Sequence, residues 1–551
     1  MVFPQRMNND NSIQGKQIMP EDKNAPRRSI TFKVLLSSLL ILSTNSLAQK
    51  PVNSDVIKFN KENLLEYIPD NNGNIIPDFS YAGYKNNNEP IPKINIVHTI
   101  SPIDGDNTNH IQAAIDKLAT LPLQKNGFRG TLLLNKGEYP VAGQLLISQS
   151  GIVLRGTGQS ENDTVIIATG QDKRSLIHVK GERKTKSQRS LQQKITTNYV
   201  PVGSHSFEVE DASRYKVGQE LLVVRLATGQ WIDDIGMNKL KPRKDGREIK
   251  QWTTKKYHLK YERTITAINN NTITIDVPLV QMIEDKYDGG VIYPISITGR
   301  VNHIGIENMR LVSEYRKGRI NSDEKHAWNA IEMTDVENSW ISDISAYHFA
   351  RSLVAVQKGS RLITVRDSSN YDPASEIRGG RRYSYSLGGS LTLFLRCDAR
   401  NGRHDYITSS RVAGPNAFVF GKATKTHSDI GPHHRWATGT LYDNIHGGDI
   451  NAEDRQNLGS GHGWSGAQQV FWNTNGRGKS AVQSPPGAIN WSIGHVGKRY
   501  KGRWSNRPQG VWISHGKHVK PQSLFVQQLT ERLGLQHTNT ILAKADYISK
   551  K

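Results

Sequence analysis

One cysteine, Cys397, is all that 551 residues contain, so no intramolecular disulfide can form and stability has to come from packing. Apolar residues are also scarce: 36% of the chain is hydrophobic and the mean hydropathy is −0.57. Ten Trp and nineteen Tyr nevertheless make it too rich in large side chains to be disordered. No run approaches the roughly 20 apolar residues that cross a bilayer, so no integral membrane span is expected. Acidic residues are outnumbered, 50 against 72 Lys and Arg, for a formal charge of +22. His-Glu-x-x-His, paired-cysteine, Walker and dinucleotide glycine patterns are all missing, which removes zincin-type hydrolases, P-loop NTPases and Rossmann dehydrogenases. Helical periodicity is rare as well, and the 48 Gly favour turns, strands and repeats over a helical bundle.

What is present starts with a leader. Arg27, Arg28 and Lys33 precede the apolar stretch Val34 to Leu42, which ends in Ser46-Leu47-Ala48. A basic region, a short apolar region and a small-x-small site predict a signal peptide over 1–48, cleaved after Ala48, and hence a secreted or periplasmic protein. Cleavage takes little of the positive charge with it. In an exported body that charge points to an acidic polysaccharide rather than to nucleic acid.

Beyond the leader, 49–95 reads as an extended, Asn-rich segment. Asp106-Asn107-Thr108 caps a predicted helix reaching Leu121, and short β runs follow at 130–134, 144–147, 151–156 and 164–168, so 96–184 forms the first coils under a capping helix. Residues 185–298 break the rhythm with two basic stretches and longer alternating runs, predicting an inserted antiparallel β subdomain. From 299 to 520 short runs recur with corresponding points about 20–30 residues apart, which is solenoid spacing. A closing helix is predicted over Ser523 to Leu533 within a C-terminal segment, 521–551. The fold class is therefore all-β: a right-handed parallel β-helix with an N-terminal capping helix and an inserted antiparallel sheet, expected as a monomer.

The stretches 104–156 and 300 onward resemble the pectate-lyase-like β-helix superfamily. Glu324-Lys325-His326-Ala327-Trp328-Asn329, Gly402-Arg403-His404-Asp405-Tyr406, Gly431-Pro432-His433-His434-Arg435-Trp436 and Gly461-His462-Gly463-Trp464 are similar to its exported, uncharacterised branch. That resemblance implies a carbohydrate-active protein without naming the reaction. Of the polygalacturonase motifs only Gly461-His462-Gly463 is in place, since Asp233-Asp234 lies upstream in the insertion.

β-Elimination on a uronate needs a cation to neutralise the carboxylate, a base for the C5 proton and an acid for the departing O4. The central coils are dense in suitable residues. His404 is the expected base or acid and Arg435 the expected clamp, with His434 and Arg403 in support. Arg382, Tyr383, His326, Trp328, Asn329, His433, Trp436, His348 and His462 are candidates for binding substrate, Trp436 by stacking on a sugar and Asn329 alternatively as part of an asparagine ladder. No cofactor is expected; calcium assists some lyases of this fold, but the central coils show no dense carboxylate cluster. The competing readings are a hydrolase using Asp398 or Asp405 with an acid of another rung, and a non-catalytic glycan binder.

Overall fold

The computed structural model describes residues 49–545, so the signal peptide expected over 1–48 lies outside the described residues. From Ile96 onward the chain winds as a right-handed parallel β-helix. One face is a seven-stranded ladder, parallel throughout: Leu145–Ile147, Ser175–Lys180, Asn329–Thr334, Ser352–Val356, Tyr385–Leu387, Tyr406–Thr408 and Gly431–Pro432. The remaining faces merge into a long sheet running from Ile96–Ile100 to Val511–Ile513.

Side chains alternate across each strand, so one set fills the coil and the other faces out. Ile331, Val354, Tyr385 and Tyr406 stand in register on the inside of the seven-stranded ladder. Opposite them Phe394, Phe418, Tyr442 and Phe471 stack rung on rung, with ring centroids 4.6, 5.3 and 4.9 Å apart. Each rung buries its aromatic only against its neighbours, which is how a solenoid builds a core without long helices.

The first coil is closed by the helix Thr108–Ala119, whose Ile111, Ala114, Ile115 and Leu118 are buried against it. Its first turn is held by Asp106, whose Oδ1 accepts from Thr108 N–H at 3.0 Å. At the other end, helices Leu524–Leu533 and Leu535–Leu542 lie on the outer face of the long sheet. The N-terminal segment joins them there. Instead of running extended, it folds a hairpin, Ile57–Phe59 with Leu65–Tyr67, and buries Ile57, Ile76 and Phe79 on the same outward row of Leu393, Ala417 and Leu441.

The coil is interrupted once, between Ser175–Lys180 and Val301. Lys184–Ser187 through Gly290–Thr298 build an antiparallel sheet with its own core of Val223, Tyr261, Ile265 and Ile292. Trp231 and Trp252 in that insertion meet Trp436 of the helix at 4.9 and 6.3 Å. The insertion is thereby fixed beside the last rungs of the seven-stranded ladder. No helix among the described residues is long and apolar enough to cross a membrane.

Candidate active site

Where the seven-stranded ladder ends, three coil loops converge. Tyr383 and His404 lie just ahead of the strands Tyr385–Leu387 and Tyr406–Thr408, while His433 and His434 follow the last strand, Gly431–Pro432. The loop after them rests on the Gly461-His462-Gly463 turn: Arg435 N–H donates to His462 O at 3.0 Å and Trp436 N–H to Trp464 O at 2.8 Å. Arg435 and Trp436 both take φ of 59°, the left-handed region that side chains disfavour. This reversal sends Trp436 inward, while His433 and His434 meet the other rings.

The result is a cluster of four imidazoles and a phenol. His404 and His433 are 4.4 Å apart between ring centroids, His433 and His462 5.1 Å, His433 and His434 5.4 Å, and His434 and His462 4.9 Å. Tyr383 sets its ring against His404 at 5.4 Å and His433 at 5.7 Å. Beneath them, His404 Nδ1 donates to Asp429 O at 2.8 Å and lies 3.3 Å from Asp429 Oδ1. Arg455 Nη1 donates to Asp429 Oδ2 at 2.6 Å. Asp429 is thus a buried carboxylate held between an imidazole and a guanidinium.

Burial opposes the charge on Asp429, but Arg455 and His404 outweigh it and hold the carboxyl well below its usual range. The histidines go the other way. Burial first, then the positive neighbours, push His433 well down, His434 to about 3 and His462 to about 2. All three are neutral imidazoles at pH 7.

Several polar atoms here have no partner among the described residues. Nδ1 of His433, His434 and His462, Nε2 of His404 and Nε of Arg455 are all buried without a hydrogen bond. Buried polar groups in folded proteins are nearly always paired, and leaving one unpaired costs about 1–3 kcal/mol. Five such atoms lie together in this one cluster.

Arg435 lies at the rim, with Nη2 donating to Ser460 O at 3.1 Å and to Ser460 Oγ. Arg403 is further out and donates to Gly379 O, the same carbonyl that accepts from Tyr383 Oη at 3.1 Å. Arg351 sits 5.9 Å from the Tyr383 ring and, among the described residues, makes a single 3.3 Å side-chain hydrogen bond, to Ser386 Oγ. Among the described residues, no group of three or more His, Cys, Asp or Glu is placed to hold a metal ion.

Other sequence candidates are placed elsewhere. Trp436 is 1% exposed and donates Nε1–H to Gln281 Oε1 at 2.9 Å, so it anchors the insertion and has no face open to a sugar. Arg382 is spent on the carbonyls of Ser375, Asn401 and Ile320 and on Asn321 Oδ1. His326 is 1% exposed and satisfied at both nitrogens, by Ser313 Oγ at 2.8 Å and Ala374 O at 2.7 Å. His348 bonds Asp372 O at 3.0 Å and packs on Tyr315. Trp328 carries Lys173 and Arg381 over its ring. Asn329 stands between Ser175 and Ser352 on neighbouring rungs, so no asparagine ladder forms, and donates to Ser175 Oγ and Glu332 Oε2.

Asp429, Arg455 and Arg351 were not singled out from the sequence. Each is an ordinary residue in its own segment, and only the stacking of coils brings Asp429 to Arg455 and Arg351 to Tyr383. The one sequence cue was period: 404, 429 and 455 are spaced by about one coil.

No family model matches the chain, and no curated protein does. Among solved structures it is similar to the tailspike protein gp49 from Pseudomonas phage LKA1, at 14% identity and TM-score 0.38 over 70% of this chain and 56% of that one. It is similar to an alginate lyase from Paenibacillus sp. str. FPU-7, at 10% identity and TM-score 0.39 over 77% and 99%, and to a polygalacturonase from Erwinia carotovora ssp. carotovora, at 10% and 0.32 over 78% and 98%. The chain thus spans little more than half of that tailspike's length. The β-helix assignment rests on the strand ladders themselves.

Proposed function

We propose that the protein is a carbohydrate-active enzyme that cleaves an acidic, uronate-containing glycan by β-elimination at the His–Tyr cluster. The observation that carries this reading is the set of neutral, unpartnered imidazoles beside a phenol and a rim arginine. Arg435 neutralises the uronate carboxylate, which acidifies the C5 proton. His434 takes that proton, the C4–O4 bond breaks as the C4=C5 double bond forms, and Tyr383 gives its hydroxyl proton to the departing O4. His434 then releases its proton to water and Tyr383 regains one. Burial holds His434 too weakly basic in the free protein, and a bound carboxylate removes part of that penalty and brings it toward the operating pH. His404, 1% exposed and fixed on Asp429, is a positioning residue under His433 and Tyr383.

The hydrolase reading is the less well supported. Asp405 is fully buried and accepts from Ser384 Oγ at 2.6 Å, whereas Asp398 belongs to the long sheet, where it accepts from Lys422 N–H. Purified protein incubated with a panel of uronate-containing glycans is expected to generate the ultraviolet absorbance of an unsaturated uronate. New reducing ends without that absorbance would overturn the lyase reading, and no cleavage of any acidic glycan would overturn the enzyme reading.

A further inference from the structure

Beside the cluster, the insertion and the edge of the helix enclose a cleft of about 570 Å³. Arg263 on its wall is spent on backbone carbonyls, and six further cations line it with no carboxylate partner among the described residues: Arg189, Lys255, Lys256, Lys260, Lys358 and Arg411. The one acidic residue on its wall, Glu262, is already engaged by Arg183, Arg300 at 2.7 Å and Arg361 at 3.3 Å. Positive charge is therefore in excess and unanswered. Desolvation first, then Arg411, Lys260 and Arg183, lower Lys358, which shows how closely these cations crowd. Uncompensated like charges facing one concave space repel each other, and an anion placed between them relieves that repulsion.

The cleft adjoins the loop that carries the cluster. Arg411 lines it, donates its backbone N–H to Arg435 O at 2.9 Å, and is among the charges that depress His434. A chain lying in the cleft would be led along Arg411 toward Arg435.

We infer that this cleft holds an extended segment of a polyanionic sugar chain, as a binding site for polymer beyond the residues being cleaved. The inference deepens the lyase reading and rests on it for the direction of the chain. Nucleic acid fits less well, because single strands bind through bases stacked on open aromatic faces. Here Tyr261 is 1% exposed with its hydroxyl on Thr438, Tyr293 is covered by Arg189 at 4.5 Å, and Tyr257 is sandwiched between Trp252 at 4.2 Å and Arg411 at 5.0 Å. The wall offers charge and no stacking platform.

The test compares wild type, Lys260→Glu/Lys358→Glu and a charge-matched control, Lys117→Glu/Lys136→Glu, on exposed positions near the capping helix. Fluorescence anisotropy measures binding of labelled oligogalacturonate, dextran sulfate, neutral dextran and a single-stranded oligonucleotide, with folding checked by circular dichroism. Wild type and control are expected to bind the two acidic glycans and not neutral dextran, and the cleft variant to lose at least tenfold in affinity with a flatter salt dependence. Unchanged binding in the cleft variant, equal binding of neutral dextran, or tighter binding of the oligonucleotide than of either acidic glycan would overturn the inference. Cleavage is read separately. Acidic-glycan binding that depends on the two lysines without cleavage of any glycan leaves the cleft standing and removes the lyase reading, whereas cleavage with KM unchanged in the cleft variant does the reverse.

Discussion

His326-Ala327-Trp328, just ahead of the third strand of the seven-stranded ladder, and His434-Arg435-Trp436, just after its last, are the same pattern and meet opposite fates. His326 has a partner on each ring nitrogen and is sealed from solvent. His434 has none among the described residues, its Nδ1 buried beside two other imidazoles. The tryptophans are reversed in turn: Trp328 lies under two cations near the surface, while Trp436 is driven into the core of the insertion. Residue type therefore does not separate the two histidines. Hydrogen-bond satisfaction does, and in the elimination reading it is the unpaired ring that works on substrate, because a paired ring stabilises the fold and an unpaired one costs stability unless a ligand completes it.

The largest effect expected from breaking this contrast lies under the cluster. Asp429→Ala leaves Arg455 charged and buried without its counter-ion, which costs about 3–5 kcal/mol. Urea denaturation is expected to show that loss. A change below about 1 kcal/mol would mean that the Asp429–Arg455 pair does not hold the cluster together.

Replacing the two histidines themselves sharpens the comparison. His326→Ala removes two buried hydrogen bonds and opens a cavity, for an expected loss of about 2–4 kcal/mol of stability. His434→Ala removes an unsatisfied ring, so stability is expected to hold within about 1 kcal/mol while turnover of the acidic glycan falls about 10²–10⁴-fold. Thermal melts and initial rates on the two variants check both halves. If His434→Ala is the destabilised one and still turns over, the distinction drawn from hydrogen bonding is lost.

How much of this could be read beforehand follows from the range of each interaction. The coil spacing, the capping helix and the interruption by an antiparallel sheet depend on local patterns of apolar residues and turns, and those are visible along the chain. His404, His433, His434, Arg435 and His462 were visible because imidazoles and guanidinium are dense in short segments one coil apart. Trp436 could not be read as a core residue, because the partner that buries it, Gln281, lies 155 residues upstream in the insertion. Arg382 reads as a candidate for binding substrate for the same reason: its four acceptors belong to three separate loops, at 320–321, 375 and 401. The basic stretches of the insertion show only their charge along the chain, and only the docking of the insertion turns part of them into a cleft.

A smaller effect comes from pH. His434 and His462 are pushed to about 3 and about 2 in the folded chain, below the unfolded value near 6.5. Stability from keeping them neutral is present above pH 6.5 and drains away as pH falls, at up to about 1.4 kcal/mol per unit for each ring. Partial exposure and coupling reduce this, so about 1–2 kcal/mol for the pair between pH 6.5 and 5.5 is expected. Asp443, raised to about 7 by burial, works in the opposite sense over the same range and gains stability as pH falls. Subtracting the profile of His434→Gln/His462→Gln removes that common contribution. The wild type is expected to lose stability faster than the double variant on acidification; parallel profiles would show that the rings are already protonated or already solvated.

The smallest effect separates the two rim arginines. Arg403 donates to Gly379 O, a carbonyl that also accepts from Tyr383, and its side chain is partly exposed, so its removal leaves no buried acceptor unpaired. Arg403→Ala is expected to cost less than about 1 kcal/mol of stability and to change turnover only a few-fold, by loosening the loop that presents Tyr383. Arg435 stands next to His434 and, in the elimination reading, meets the carboxylate in the transition state, so Arg435→Ala is expected to lower kcat while Arg435→Lys restores part of it. Measured kcat and KM for the three variants decide the roles. Should Arg403→Ala prove the more damaging in kcat, the carboxylate is held on the Tyr383 side of the cluster, and Arg403 rather than Arg435 is the neutralising cation.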